Sequence, residues 1–150
     1  MAKLNKSAIE RTFVMVKPDG VRRGLMARVF GVFEEKGYRL VGIKIMQLTR
    51  EIAAKHYAEH EGKPFYPALL EFITSGPVLA MVWEGPNIVK GARALMGATN
   101  PLEAAPGSIR GRYAAEMSYN VVHGSDSPES AQREIALYFT AEELLGQENK

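Results

Sequence analysis

Two short runs without a charged residue limit the fold most: Thr12-Phe-Val-Met-Val16 and Val78-Leu-Ala-Met-Val-Trp83. Continuous apolar runs of this length, rich in β-branched and aromatic residues, predict buried central strands. Residues 40–48 alternate instead, with Val41, Ile43 and Ile45 on one face, and predict a strand with one covered side. Val121 and Val122 predict the end of a further buried strand, which His123 closes before a tight turn at Gly124-Ser-Asp126. Between these strands the spacing turns helical. Met26, Val29, Phe30 and Phe33 predict a helix over Met26–Lys36, stopped by Gly37. Residues 51–60 and 66–73 predict two short helices separated by Glu61-Gly-Lys-Pro64, and residues 87–95 a helix after Gly85-Pro86. Lys17-Pro-Asp-Gly20 ends the first strand as a turn. Residues 96–117 carry Pro101, Pro106 and Gly107 with little periodicity and predict a long, functional loop. A last helix covers 128–139, with Ser127 as N-cap and Pro128 in the first helical position. This order predicts an α+β fold: a mostly antiparallel four-stranded sheet covered by helices.

A length of 150 residues predicts one domain spanning 1–150, large enough for a sizeable core. Apolar and charged shares of 46% and 24% are those of ordinary globular proteins. No apolar run approaches the roughly 18 residues that a membrane helix needs. The opening Met-Ala-Lys-Leu-Asn-Lys-Ser lacks the hydrophobic core of a secretory signal. The absence of cysteine excludes thiolate catalysis and Cys-ligated metal, and fits a cytoplasmic protein. A net charge of +2 does not suggest nucleic acid but suits a site for an anionic substrate. The tail Gly146-Gln-Glu-Asn-Lys150 is polar and expected to be loose.

His123 is the candidate nucleophile. A strand end holds an imidazole rigidly while leaving it open to a turn. In the last helix Ala131, Ile135 and Phe139 make one stripe, and Glu134 borders it. A carboxylate there can accept a hydrogen bond from one ring nitrogen of His123, fix its tautomer and leave the other nitrogen nucleophilic. Lys17 stands at the end of the first strand as a cation. There is no Gly-x-x-x-x-Gly-Lys-Ser/Thr loop and no Gly-x-Gly-x-x-Gly. Any nucleotide phosphates must therefore be held by side chains. Arg93, Thr99 and Arg110 are the candidates, since guanidinium groups match phosphate oxygens in pairs.

The string Asn120-Val-Val-His-Gly-Ser-Asp126 resembles the active-site signature of nucleoside diphosphate kinases. Arg11-Thr-Phe-Val-Met-Val-Lys-Pro-Asp-Gly-Val21, Ser75-Gly-Pro-Val-Leu-Ala-Met-Val-Trp-Glu-Gly85, Gly97-Ala-Thr-Asn-Pro101 and Pro106-Gly-Ser-Ile-Arg-Gly111 resemble further segments of that family, in its order. The resemblance implies a ferredoxin-like βαββαβ sheet and a ping-pong transfer of the γ-phosphoryl group between nucleotides through a phosphohistidine. It implies Lys17 on the terminal phosphate and sugar, and Arg93, Thr99 and Arg110 on the β- and γ-phosphates. It places Phe65 under the nucleobase with Leu69 beside it, His60 near the α-phosphate, Asn120 on the sugar hydroxyl and Tyr57 behind the catalytic centre. Lys63 and Met117 depart from the residues common in the family. The resemblance also implies Mg²⁺ held mainly by nucleotide phosphates, with no dedicated protein metal site, and a homo-oligomer. The chain continues beyond Phe139, which favours a hexamer over a tetramer. Two rival readings follow from the residues: a histidine-phosphorylated carrier, and a sheet that binds RNA through exposed aromatics. The second conflicts with Phe13 and Trp83 lying among aliphatic residues.

Overall fold

The computed structural model describes residues 8–146. The opening segment and the tail beyond Gly146 lie outside them. Four strands form one sheet in the order β2-β3-β1-β4: β1 (Ile9–Val16), β2 (Arg39–Met46), β3 (Val78–Pro86) and β4 (Val122–Gly124). All three neighbouring pairs are antiparallel. This is the ferredoxin-like α+β arrangement, with a helical insert between β2 and β3. The two apolar runs are its paired central strands, with Phe13 opposite Val82. Both faces of this pair are covered, which is why the runs tolerate no polar alternation.

Val14, Val16, Met81 and Trp83 point to one core with Val29 and Phe33 of α2 (Met26–Lys36) and Ile88 and Ala92 of α5 (Ile88–Met96). Phe13, Met15, Ala80 and Val82 point to the other core. There they meet Ala53 of α3 (Arg50–His56), Ile73 of α4 (Tyr66–Ile73) and Tyr138 of α7 (Pro128–Tyr138). Gly37 stops α2 with φ +98°, and Ser127 caps α7 by accepting the Ser130 N–H at 3.0 Å, both as the sequence predicts.

Several elements depart from the sequence reading. Lys17-Pro-Asp-Gly20 is not a simple turn, because α1 (Pro18–Arg22) starts there, with Pro in its first turn. Residues 51–60 split into α3 and a 3₁₀ turn, Ala58–His60. The stretch 96–117 contains a 3₁₀ turn at Pro101–Glu103 and α6 (Ile109–Tyr113), capped by Ser108. Val41, Ile43 and Ile45 do not share a covered face. The pairing of β2 with β3 slips between Leu40 and Gly42, so Val41 is an inserted residue. A bulge reverses the parity of everything after it. Val41 turns into the core, while Ile43 and Ile45 are 45% and 62% exposed on an edge strand. Val121 is not part of β4, since it has φ +72°, outside any strand.

Candidate active site

The site forms where β4 lies against the end of β1. His123 is the middle residue of β4 and faces Met15 across the ladder. Lys17 follows directly on β1, and α7 crosses the sheet so that Glu134 is buried beside His123. His123 Nε2 is 2.9 Å from Glu134 Oε1, and Ser125 Oγ donates to the same oxygen at 2.7 Å. Burial works against the Glu134 charge, but the hydrogen bonds from His123 and Ser125 outweigh it and hold its pKa below the ordinary value. A carboxylate only accepts, so Nε2 carries the proton and Nδ1 keeps a lone pair.

A second histidine, which the sequence did not single out, backs the first. The His56 ring stands edge-on to His123 with centroids 4.5 Å apart. Its Nδ1 lies 2.9 Å from Tyr138 Oη, and the Tyr138 ring is stacked on Phe13 at 4.4 Å. Burial, then the neighbouring His123 and Lys17, push the His56 pKa well below its usual value, so the ring is neutral. Burial pushes Tyr138 far above its ordinary range and Tyr57 up to about 12, so both keep their O–H. The sequence did carry one sign of His56: it falls three residues after Ala53, on the buried side of α3.

The cationic end of the site is built from three segments. Lys17 Nζ donates to Asn120 Oδ1 at 2.8 Å, and Asn120 Nδ2 donates to the Thr99 carbonyl at 3.1 Å. Burial, then the Arg110 charge, lower the Lys17 pKa to about 8 against the opposing charge of Asp19. Arg110 is itself buried. Its Nη1 and Nη2 donate to the carbonyls of Gly97 and Val122, each at 2.7 Å. Burial and the Arg93 charge bring its pKa down to about 10. Arg93 extends from α5 and is exposed.

These groups line a cavity of about 230 Å³. Of the candidates named from the sequence, the fold brings Lys17, Tyr57, His60, Arg93, Thr99, Arg110, Asn120, His123 and Glu134 to it. It does not bring Phe65 and Leu69. Phe65 is 48% exposed outside the cavity, with its ring 5.5 Å from that of His60, and Leu69 is half-buried on α4. Lys63 Nζ lies 3.2 Å from His60 Nδ1, and Met117 is exposed. His56, Ser130, Arg133 and Asp126 also line it and were not predicted, and Glu59 and Gly124 complete the lining. The hydrogen bond from Ser130, against some burial, lowers the Asp126 pKa, so an ionised carboxylate stands at the cavity.

Metal-ligating atoms of His56, His123 and Glu134 lie within 4.8 Å of one another. This set is rich in nitrogen and tied up in hydrogen bonds, which does not suit Mg²⁺, a cation that takes oxygen ligands. Phosphate oxygens, water and the Asp126 carboxylate do suit it.

The family model described as nucleoside diphosphate kinase matches residues 10–144. The chain is 62% identical over 140 residues to the nucleoside diphosphate kinase of Carboxydothermus hydrogenoformans, covering 93% of this chain and 94% of that one. It is 64% identical over 137 residues to the enzyme of the same name from Moorella thermoacetica, covering 91% and 99%. The fold superposes with a TM-score of 0.91 on the halophilic nucleoside diphosphate kinase of Halobacterium salinarum in complex with CDP. That match has 51% identity and covers 95% of each chain.

Proposed function

The chain belongs to the nucleoside diphosphate kinase family, and from that premise we propose that one domain moves the γ-phosphoryl group of a nucleoside triphosphate to a nucleoside diphosphate through a phosphohistidine at His123. The observation that carries this reading is the 2.9 Å bond between His123 Nε2 and Glu134, which leaves Nδ1 as the nitrogen able to attack. The Nδ1 lone pair forms the N–P bond as the bond between Pγ and the bridging oxygen breaks, and the diphosphate leaves with that electron pair. A second nucleoside diphosphate then reverses the step and takes the phosphoryl group. Little covalent chemistry is left to the protein, so positioning and charge neutralisation dominate.

Lys17, Arg93 and Arg110 supply the charge, and Thr99 holds a phosphate oxygen. The Tyr57 O–H donates at the catalytic centre, His60 meets the α-phosphate and Asn120 holds the sugar hydroxyl. Mg²⁺, held by phosphate oxygens and water with Asp126 nearby, adds further neutralisation when bound. Phe65, Leu69 and Met117 form an apolar rim for the base. RNA is not a partner in this reading, because the sheet aromatics Phe13 and Trp83 are fully buried and have no face to offer.

We propose a cytoplasmic homo-oligomer, a hexamer rather than a tetramer. Exposed Ile43 and Ile45 on the edge strand support self-association, and light scattering tests it. Among the described residues no helix is long and apolar enough to cross a membrane.

The function is tested by exchange from ATP to GDP, CDP, UDP and dTDP. Stacking without polar readers tolerates every base, so purines should lead pyrimidines by no more than about tenfold. A preference above about a thousandfold needs buried polar base readers and contradicts the apolar rim.

A further inference from the structure

The link between Asn120 and His123 is held in a conformation that its own sequence disfavours. The Val122 N–H donates to the Asn120 carbonyl at 2.8 Å, and Val121 between them has φ +72°. A bond spanning two residues around a positive φ marks a γ-turn of the rare, strained kind. Among the described residues the other non-glycine with positive φ is Asn87. Asparagine tolerates that region, whereas a β-branched side chain does not.

The restraint comes from the start of α1. The Val121 N–H donates to Asp19 Oδ2 at 3.0 Å, and the Val121 carbonyl accepts the Lys17 N–H at 2.8 Å. Both peptide groups of the strained residue are thus gripped by residues 17–19. Gly20 permits the approach: a Cβ there would stand 2.7 Å from Val16 Cγ1 and 3.1 Å from the Val121 carbonyl oxygen. Asp19 is 6% exposed, and its other oxygen, Oδ1, is buried with no hydrogen-bond partner among the described residues. A half-satisfied buried carboxylate is a poor stability device. Its place next to a strained turn points to function.

The turn carries much of the site. Its first residue, Asn120, holds Lys17 Nζ, and its last, Val122, accepts from Arg110 and precedes the nucleophile. We propose that Asp19 is a positioning residue: its carboxylate holds the strained turn at Val121 and so fixes His123 against Lys17 and Arg110 for in-line attack. This rests on the phosphohistidine reading above. No contact between Asp19 and substrate is required.

The test compares wild type with Asp19→Ala, Asp19→Ala/Val121→Gly and Asp19→Asn. Folding is followed by circular dichroism, ADP affinity by calorimetry, and kcat by exchange at pH 6.5, where Lys17 holds its proton. Asp19→Ala should lower kcat by about a hundredfold, the effect of a misplacement near 1 Å, with ADP affinity little changed. Glycine takes a positive φ without help, so Val121→Gly should recover at least about tenfold of that loss even as it removes a buried side chain. Asp19→Asn keeps an oxygen acceptor for the Val121 N–H and should recover most of kcat. A folded Asp19→Ala with kcat within twofold of wild type overturns the proposal, and so does a folded double variant no faster than folded Asp19→Ala. If Asp19→Ala does not fold, a folded double variant within about tenfold of wild type supports the proposal, and a folded but inactive one overturns it. If neither folds, Asp19→Asn decides: most of kcat retained supports the proposal, and a folded, inactive Asn variant overturns it. Wild-type protein that fails to exchange phosphate sinks the parent reading instead, so the two failures are distinct.

Discussion

Glu134 Oε1 sits 2.9 Å from His123 Nε2, so one buried carboxylate decides which nitrogen of the imidazole carries the proton and which keeps its lone pair. Ser125 donates to the same oxygen and holds it in place. Glu134→Ala removes the acceptor but not the nucleophile. Exchange should slow by about ten- to a hundredfold, the loss known for carboxylates that orient a metal-bound histidine, while His123 remains phosphorylatable. Steady-state rates and labelling together check this, and an unchanged rate would reduce Glu134 to a packing residue.

Arg93 and Arg110 share a charge but not a role. Arg110 spends both terminal nitrogens on the carbonyls of Gly97 and Val122, whereas Arg93 stands exposed on α5. Arg110→Ala should therefore cost stability as well as turnover, by about 1–3 kcal/mol for the buried acceptors it leaves unpaired. Arg93→Ala should leave stability within about 0.5 kcal/mol of wild type. Both should lower kcat/KM for every nucleotide alike, since neither meets a base. Thermal unfolding beside kcat/KM separates them, and equal shifts in Tm would show that the carbonyl contacts of Arg110 carry no weight.

Lys17 is charged at a cost. Burial holds its pKa at about 8 in the folded chain against 10.5 for an ordinary lysine. Between these values the unfolded chain binds more protons, so this lysine makes stability rise with pH from about 8 to about 10.5. Below pH 8 the cost of enclosing the charge is present in full. Lys17→Met should remove it and stabilise the protein at pH 7 by about 1–2 kcal/mol, discounted for the partly open side chain and the lost bond to Asn120. The same change should nearly abolish exchange. In the wild type, kcat/KM should fall as pH rises through about 8, because free enzyme then loses the charge proposed to bind phosphate. A Lys17→Met protein less stable than wild type at pH 7, or a flat profile from pH 7 to 9, would contradict the assignment.

The central strands were legible because a strand covered on both faces leaves an uninterrupted apolar run. The exposure of Ile43 and Ile45 on β2 was not legible because alternation reveals a face only while the pleat is unbroken, and the inserted Val41 has no signature of its own. α1 was hidden because Pro-Asp-Gly serves a turn as well as a first helical turn, and five residues show no periodicity. Glu134 could be paired with His123 because they lie close in sequence and a helical stripe fixes the orientation of Glu134. His56 could not, because its partner Tyr138 is 82 residues away. Arg110 and Asp19 act through backbone groups, which every residue has and no sequence motif displays.

The account turns on a phosphoryl group carried by one nitrogen of His123. The most direct measurement is incubation of the protein with γ-labelled ATP, separation from nucleotide, and treatment of the labelled chain with acid and with base, with His123→Ala in parallel. The account predicts one label on wild type that acid removes and base does not, transfers in full to added GDP, and is missing from a folded His123→Ala. A label that survives acid, or a His123→Ala protein that still exchanges phosphate near the wild-type rate, would contradict it.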